Sequence, residues 1–485
     1  MSIVSLVKSI QDIMRKDVGV DGDAQRISQL AWLLFLKILD DKEQEWELGS
    51  DYQSPIPDKY RWSNWAKDAE GITGDTLMTF VNGELFPTLK NLRQIPTPQA
   101  QVVASVFGDA YNYMKSGTLL RQVINTIEAD LDLNRSEDRH LFGDIYEKIL
   151  GDLQSAGNAG EYYTPRALTQ FVVDMLAPQL GESVLDPACG TGGFLTSVID
   201  ALNAQAKTTE DFKTIEKSIH GVEKKPLPHM LAVTNMMLHG IETPSEIRRD
   251  NTLAKPLRDY EARDELDIIV ANPPFGGIEE NGIEQNFPAK YRTRETADLF
   301  MALIMLRLKP HGRAGVVLPD GFLFGEGVKT TIKEELLQNF NLHTIVRLPK
   351  GVFAPYTSIN TNVLFFEKGG PTRDIWFFEH PYPAGYKSYS KSKPLTIGEF
   401  DLEKEWWGSL KGRENRQETR HAWKVSAEDV KARNYNLDFK NPHQDEVIHA
   451  DPMELLAEYR DLTAQVREAQ DALKAELLAA LERRA

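Results

Sequence analysis

Asn272, Pro273, Pro274 and Phe275 stand directly after the apolar run Asp267–Ala271 and directly before Gly276 and Gly277. These residue types answer one chemical need. The amino nitrogen of a nucleobase is a poor nucleophile because its lone pair is delocalised into the ring, so a catalyst must draw its two hydrogens into fixed acceptors. The side-chain oxygen of Asn272 and a backbone carbonyl beside proline are two such acceptors, and the proline pair stiffens the loop that carries them. Phe275 offers a face for a base swung out of its stack. Taken alone, the tetrapeptide reads equally as a proline-rich turn after a strand.

A second candidate site lies upstream, where Ser183–Asp186 runs into Pro-Ala-Cys-Gly-Thr-Gly-Gly-Phe. Gly190, Gly192 and Gly193, with Thr191 and Phe194 among them, let the chain turn sharply and let a ligand approach main-chain N–H groups at a helix start. No Lys-Ser or Lys-Thr pair follows, which argues against a triphosphate cradle. Asp186, at the strand end, suits a cationic ligand group such as an amino-acid ammonium better than a pyrophosphate. Glu223 closes the next expected strand, the position from which an acid accepts hydrogen bonds from ribose hydroxyls. Asp250 and Asn251 follow the third and can hydrogen-bond an adenine edge. Each of these residues taken singly reads better as a solvated strand terminus or a helix cap. Together, at the ends of successive strands, they form one rim. Cys189 sits inside the glycine turn with no activating base beside it in sequence, so it does not read as a nucleophile.

The elements that must carry these loops are legible as a change of grammar along the 485 residues. Residues 1–150 show three- and four-residue spacing of apolar side chains, as at Leu30, Leu33, Leu34 and Ile38, and read as a helical domain with a long connection at Gly49–Gly74. Residues 151–370 alternate short apolar runs with helices: a doubly wound, mainly parallel Rossmann-like α/β sheet. Residues 371–450 are polar with little periodicity and read as an irregular extension. Residues 451–485 place Leu455, Tyr459, Leu462, Val466, Ala469 and Leu473 on a coiled-coil-like stripe, which suits a partner helix or a helix folded back on its own domain.

Composition narrows the class. The single cysteine excludes a disulfide framework and a cysteine-rich zinc site. No apolar stretch is long enough to span a bilayer, and the charge-interrupted N-terminus does not read as a secretory signal, so a cytoplasmic protein is expected. The net charge of −16 counts against a free-standing DNA binder and implies that another subunit supplies much of any DNA contact. No G-x-x-x-x-G-K-[ST] motif is present for an ATP-driven translocase.

At its motifs the chain resembles the amino-methyltransferases, and more closely the modification (HsdM) subunits of type I restriction-modification systems. The resemblance rests on GEYYTPR (Gly160–Arg166), LDPACGTGGFL (Leu185–Leu195), NPPFGG (Asn272–Gly277), GVVLPDGFLF (Gly315–Phe324) and LPKGVFAPYTSINTNVLFF (Leu348–Phe366), in that order. It implies S-adenosylmethionine as cofactor. Glu161, Tyr162, Tyr163, Thr164, Pro165 and Arg166, with the glycine turn, would hold its methionine part, Glu223 its ribose, and Asp250 with Asn251 its adenine. Asn272–Phe275 would bind the target amine, N6 of an adenine flipped out of double-stranded DNA, for direct in-line methyl transfer without a metal. The family pattern further implies a C-terminal helix that docks on a specificity subunit, two modification subunits per specificity subunit, and a separate restriction/translocase subunit. N4-cytosine methylation uses the same chemistry and stays open at this stage, as does a catalytically silent scaffold. A C5-cytosine methyltransferase is excluded, because the loop that would carry its nucleophilic cysteine carries Asn272 instead.

Overall fold

Apolar runs of three to nine residues, rich in Val, Ile, Leu and Phe, build the centre of the molecule. In the computed structural model, residues 3–49, 52–130, 163–354, 357–390, 392–408, 413, 415–443 and 452–482 are described. The strands are β1 (Val184–Asp186), β2 (Ile219–Glu223), β3 (Ile247–Arg249), β4 (Leu266–Ala271), β5 (Leu308–Pro319), β6 (Phe340–Leu348), β7 (Thr361–Lys368), β8 (Asp374–Glu379) and β9 (Ala422–Ser426). They form one sheet in the order β3-β2-β1-β4-β5-β7-β6-β8-β9. β7 runs antiparallel to β5 and β6, and β9 to β8; every other pair is parallel. This is the doubly wound, mainly parallel α/β fold expected from the sequence.

Successive residues of β4 enter opposite cores, Ile268 and Val270 on one face and Ile269 and Ala271 on the other, which is why the strand reads as an unbroken apolar run. Helices Arg166–Leu176, Gly193–Asn203 and Pro226–Leu238 cover the first face, and Thr296–Arg307 with Val328–Asn339 the second. Both faces are covered, and the loops after β1, β2, β3, β4, β5, β6 and β8 gather at the carboxyl rim, the place where such sheets take ligands.

The N-terminal region is helical, centred on Asp23–Gly49, whose Trp32 and Phe35 are fully buried and pack edge-on against Phe86 and Phe107. The long connection holds a short helix, Trp62–Trp65, and the indole of Trp62 donates to Glu128 at 2.7 Å. Within the region read as helical, helix Pro98–Phe107 stops at Phe107. Beyond it the backbone N–H groups of Tyr113, Lys115 and Ser116 donate to Gln29 and to the buried Asp17, partners that outcompete a helical ladder.

The reading of 371–450 as irregular needs correction, since β8 and β9 extend the sheet there, followed by helix Ala427–Ala432. The signal was hidden because β8, and β9 at the edge of the sheet, are built on aromatic rather than aliphatic residues, with Asp374 and Lys424 facing water. Phe377 and Trp423 stack across the pair at 5.3 Å. Met1–Asn441 forms one compact unit and Pro442–Ala485 another. The second contains a 31-residue helix, Pro452–Glu482, on which Leu456, Tyr459, Leu462, Val466 and Leu473 are exposed.

Candidate active site

The glycine turn after β1 has the backbone that its residue types allow. Gly190 and Gly192 adopt φ of 54° and 85°, the left-handed region that side chains resist. A Cβ on Gly192 would meet Met236 Cε at 2.9 Å, whereas one on Gly190 would meet nothing within 4 Å. The turn is thus packed on its inner side and open at Gly190. Helix Gly193–Asn203 starts directly behind it, with its first N–H groups at the rim.

Two carboxyls sit under this turn, Asp186 buried and Glu223 half-buried. Asp186 is 2% exposed and accepts a hydrogen bond from the Ala188 N–H at 3.1 Å. Glu223 staples the first loop to the second, taking the N–H of Gly190 at 2.9 Å and of Lys225 at 2.7 Å. Burial pushes Asp186 up to about 8, and the nearby Glu223 adds to the rise; burial also raises Glu223. Two acids so placed favour a cationic ligand, which would restore their charge. Burial, then these same acids, pushes the Cys189 thiol well above its ordinary value, so it is inert as a nucleophile.

The loop after β3 is tied into the same rim by the Asp250 N–H, which donates to the Glu223 carbonyl at 3.0 Å. Asp250 is exposed and its Oδ1 accepts from the Asn251 N–H. Asn251 Oδ1 caps the following turn at Leu253.

Asn272 lies at the end of β4 with its amide in a fixed orientation. Its Nδ2 donates to Thr164 Oγ1 at 2.8 Å, while its Oδ1 is enclosed and has no hydrogen-bond partner among the described residues. A buried acceptor left unmade is costly, and here it stands on the loop expected to receive an amine. Pro273 is buried beside it, and Gly276 turns the chain away at φ 66°. Phe275 is 5% exposed and packs edge to face with Phe353 at 5.6 Å. The structure therefore places Phe275 in the core beside Phe353, with little of its ring exposed.

Of the segment Glu161–Arg166, Glu161 and Tyr162 lie outside the described residues. Tyr163, Thr164 and Pro165 lead into helix Arg166–Leu176. The Arg166 guanidinium reaches the Thr196 hydroxyl and lies 3.3 Å from His239 Nε2, bracing the helix behind the glycine turn. Thr191 holds the Asn235 amide through its carbonyl, and Phe194 is buried beneath. The contributions of Met236, His239 and Phe353 have no spacing signal that ties them to the loops they support; only the fold brings them together.

A doubly wound sheet with a cofactor-type glycine turn after β1 and an amide acceptor after β4 defines a Rossmann-like methyltransferase acting on amino groups. Comparison with known proteins makes the class specific. The N-6 DNA methylase family matches residues 137–451, and the HsdM N-terminal domain matches residues 3–127. The EcoEI type I restriction enzyme methylase subunit of Escherichia coli is 60% identical, over 99% of both chains. A modification subunit of a putative type I restriction enzyme from Vibrio vulnificus is 45% identical, with a TM-score of 0.82 over 92% of this chain and 98% of that one. A chain from a structure titled for complex assembly and conformational transition of the type I R-M system is 36% identical, with a TM-score of 0.80 over 98% of both. The chain belongs to the N-6 DNA methylase family, as a methylase subunit of type I restriction-modification systems. Among the described residues no helix is long and apolar enough to cross a membrane, and no group of three or more His, Cys, Asp and Glu could hold a metal ion.

Proposed function

We propose that the carboxyl rim binds S-adenosylmethionine and delivers its methyl group to N6 of an adenine flipped from double-stranded DNA, the flipped base being held at Asn272–Phe275. The observation that carries this reading is the Asn272 amide, fixed by Thr164 at one end and unsatisfied at the other. In this reading Asn272 Oδ1 accepts one N–H of the target amine and the backbone carbonyl beside Pro273 accepts the second. Drawing the hydrogens aside localises the nitrogen lone pair for in-line attack.

The residues present fit the cofactor by their chemistry. The buried Asp186 and half-buried Glu223 are acids that gain from a cation, and Gly190 leaves open space above the loop that joins them. Asp186 and the turn Gly190–Phe194 hold the methionine end, with Tyr163–Pro165 alongside. Glu223 takes the ribose, and Asp250 with Asn251 take the adenine. When bound, S-adenosylmethionine supplies an electrophilic methyl on a sulfonium.

Sequence choice falls to a specificity subunit and cleavage to a separate restriction/translocase subunit, with two copies of this chain on each specificity subunit. The net charge of −16 and the translocase motif that the sequence lacks support this division. The relative whose title concerns assembly of the type I system supports it too.

Tritiated S-adenosylmethionine and mixed-sequence DNA test the proposal, with and without the specificity subunit, followed by nucleoside analysis. Label in N6-methyladenine only when the subunit is present is the expected result. Label in N4-methylcytosine would change the substrate, and bound cofactor with no labelled DNA would overturn the proposal.

A further inference from the structure

The loop after β8, His380–Leu395, holds Lys387, Lys391 and Lys393, three tyrosines, and no acidic residue in a chain of net charge −16. β8 runs parallel to β6, so this loop leaves the sheet at the same carboxyl rim as the catalytic loop. Three contacts lead from one to the other. Phe275 packs on Phe353 at 5.6 Å. Phe353 belongs to the turn after β6, where Gly351 has a φ of 83° and a Cβ would stand 2.6 Å from the Tyr389 carbonyl oxygen. The Tyr382 hydroxyl donates to the Lys350 carbonyl at 2.9 Å in that same turn.

The loop is held firmly. Tyr389 is 3% exposed, and its hydroxyl lies 3.1 Å from Nε2 of the buried His380, whose Nδ1 is 2.5 Å from the fully buried Glu403. The Tyr389 hydroxyl also donates to Glu399. Ser390 and Lys393 exchange backbone hydrogen bonds, and the Lys393 ammonium stands 4.8 Å from the Tyr386 ring centroid. Lys350, Lys387 and Lys393 are exposed and form no ion pair with an acid among the described residues. Of the acids flanking the loop, Glu399 and Glu403 are engaged by Tyr389 and His380, and Glu379 accepts from Asn441.

We infer that Lys350, Lys387 and Lys393 form a phosphate-contacting edge that holds the DNA backbone beside the flipped adenine, with Tyr389 as the pin that fixes its height above the catalytic loop. Ammonium groups carried on a braced loop, with no acid partner among the described residues, lose no ion pair when they meet phosphate, and they release condensed cations from the duplex. On an acidic protein such an edge registers the duplex without a broadly basic surface. The inference rests on the reading of Asn272–Phe275 as the base site.

The test is the salt dependence of DNA binding by the full chain assembled with its specificity subunit. The triple variant Lys350→Gln, Lys387→Gln, Lys393→Gln should bind DNA about tenfold or more weakly at physiological salt. Its slope of log affinity against log salt should shrink by about two to three for each copy of this chain engaged. The Lys→Arg triple should keep the wild-type slope. A Gln triple with wild-type affinity and slope would overturn the inference, as would an Arg triple as weak as the Gln triple. Cofactor affinity and thermal midpoint monitor folding; should the Gln triple lose stability, Lys387→Gln alone must lower the slope by about one. Failure of the base-site reading shows separately, as wild-type complex that binds DNA yet labels no adenine.

Discussion

Asn272 spends one end of its amide on Thr164 and leaves the other without a partner among the described residues, so under the proposed role its removal should separate binding from chemistry. Asn272→Ala should bind cofactor within about twofold of wild type and lose roughly 10²–10³-fold in methyl transfer, read by calorimetry and by single-turnover labelling. Near-normal turnover would sink the assignment. Asp186 carries a different prediction. Its carboxyl is pushed up to about 8 by burial, so near neutral pH the free protein holds it mostly protonated, and a cationic ligand must drive its proton off. Cofactor affinity should therefore rise between pH 6 and about 8 and level off above. Calorimetry in buffers of different ionisation enthalpy should detect a proton released on binding below pH 8. Asp186→Asn should flatten the profile and weaken binding about 10- to 100-fold. The linkage to folding has the opposite sense: because the folded carboxyl lies above its ordinary 3.8, its contribution to stability is complete at acid pH and lost as pH rises through about 8. These acids could be found in the sequence because they end strands, and Asn272 because its tripeptide context is unusual. Met236, His239 and Phe353 could not, since each acts through packing between segments far apart in the chain.

The glycine turn gives a contrast between two neighbouring positions. Alanine at either Gly190 or Gly192 costs about 1–2 kcal/mol of backbone strain in the left-handed region. Only Gly192→Ala also drives a Cβ against Met236, at 2.9 Å. Thermal denaturation should therefore rank Gly192→Ala below Gly190→Ala, while cofactor titration should rank them in reverse, because the Gly190 Cβ would enter the open side of the turn. Equal losses in both assays would show that the two sides of the turn are not divided in this way. The central strands were legible because burial on both faces demands continuous aliphatic runs, as in Ile268–Val270. β8 and β9 were not, because their short runs mix aromatic with charged residues and lack the continuous aliphatic pattern of the central strands. The end of helix Pro98–Phe107 was not legible, since nothing local in the sequence announces that Asp17 and Gln29 will claim the N–H groups beyond it.

At the scale of the whole molecule, the division into Met1–Asn441 and Pro442–Ala485 sets apart the part that carries the chemistry. Five large apolar side chains exposed along the terminal helix, including Tyr459 and Leu473, have no cover within it and suit a helix-on-helix partner. A chain ending at Asn441 should keep its thermal transition and cofactor affinity and lose co-purification with the specificity subunit. Retained co-purification would move the docking surface elsewhere. The N-terminal helical region does belong to the larger unit, and Asp109 beside its helix Pro98–Phe107 pairs with Arg249 of β3 at 2.5 Å, so one side of the cofactor rim is braced by the helical region.

Thr164 stands where the chain passes into the sheet region, a single residue before the proline that opens helix Arg166–Leu176. Its hydroxyl aims the catalytic amide across 2.8 Å. A shift of that passage by about 1 Å would break the bond and let the amide swing, and misplacement of that size can cost about 10²-fold in rate. Under the proposed role of Asn272 the joint would act as a safety catch, letting chemistry at the far end of β4 proceed only while Thr164 keeps its place.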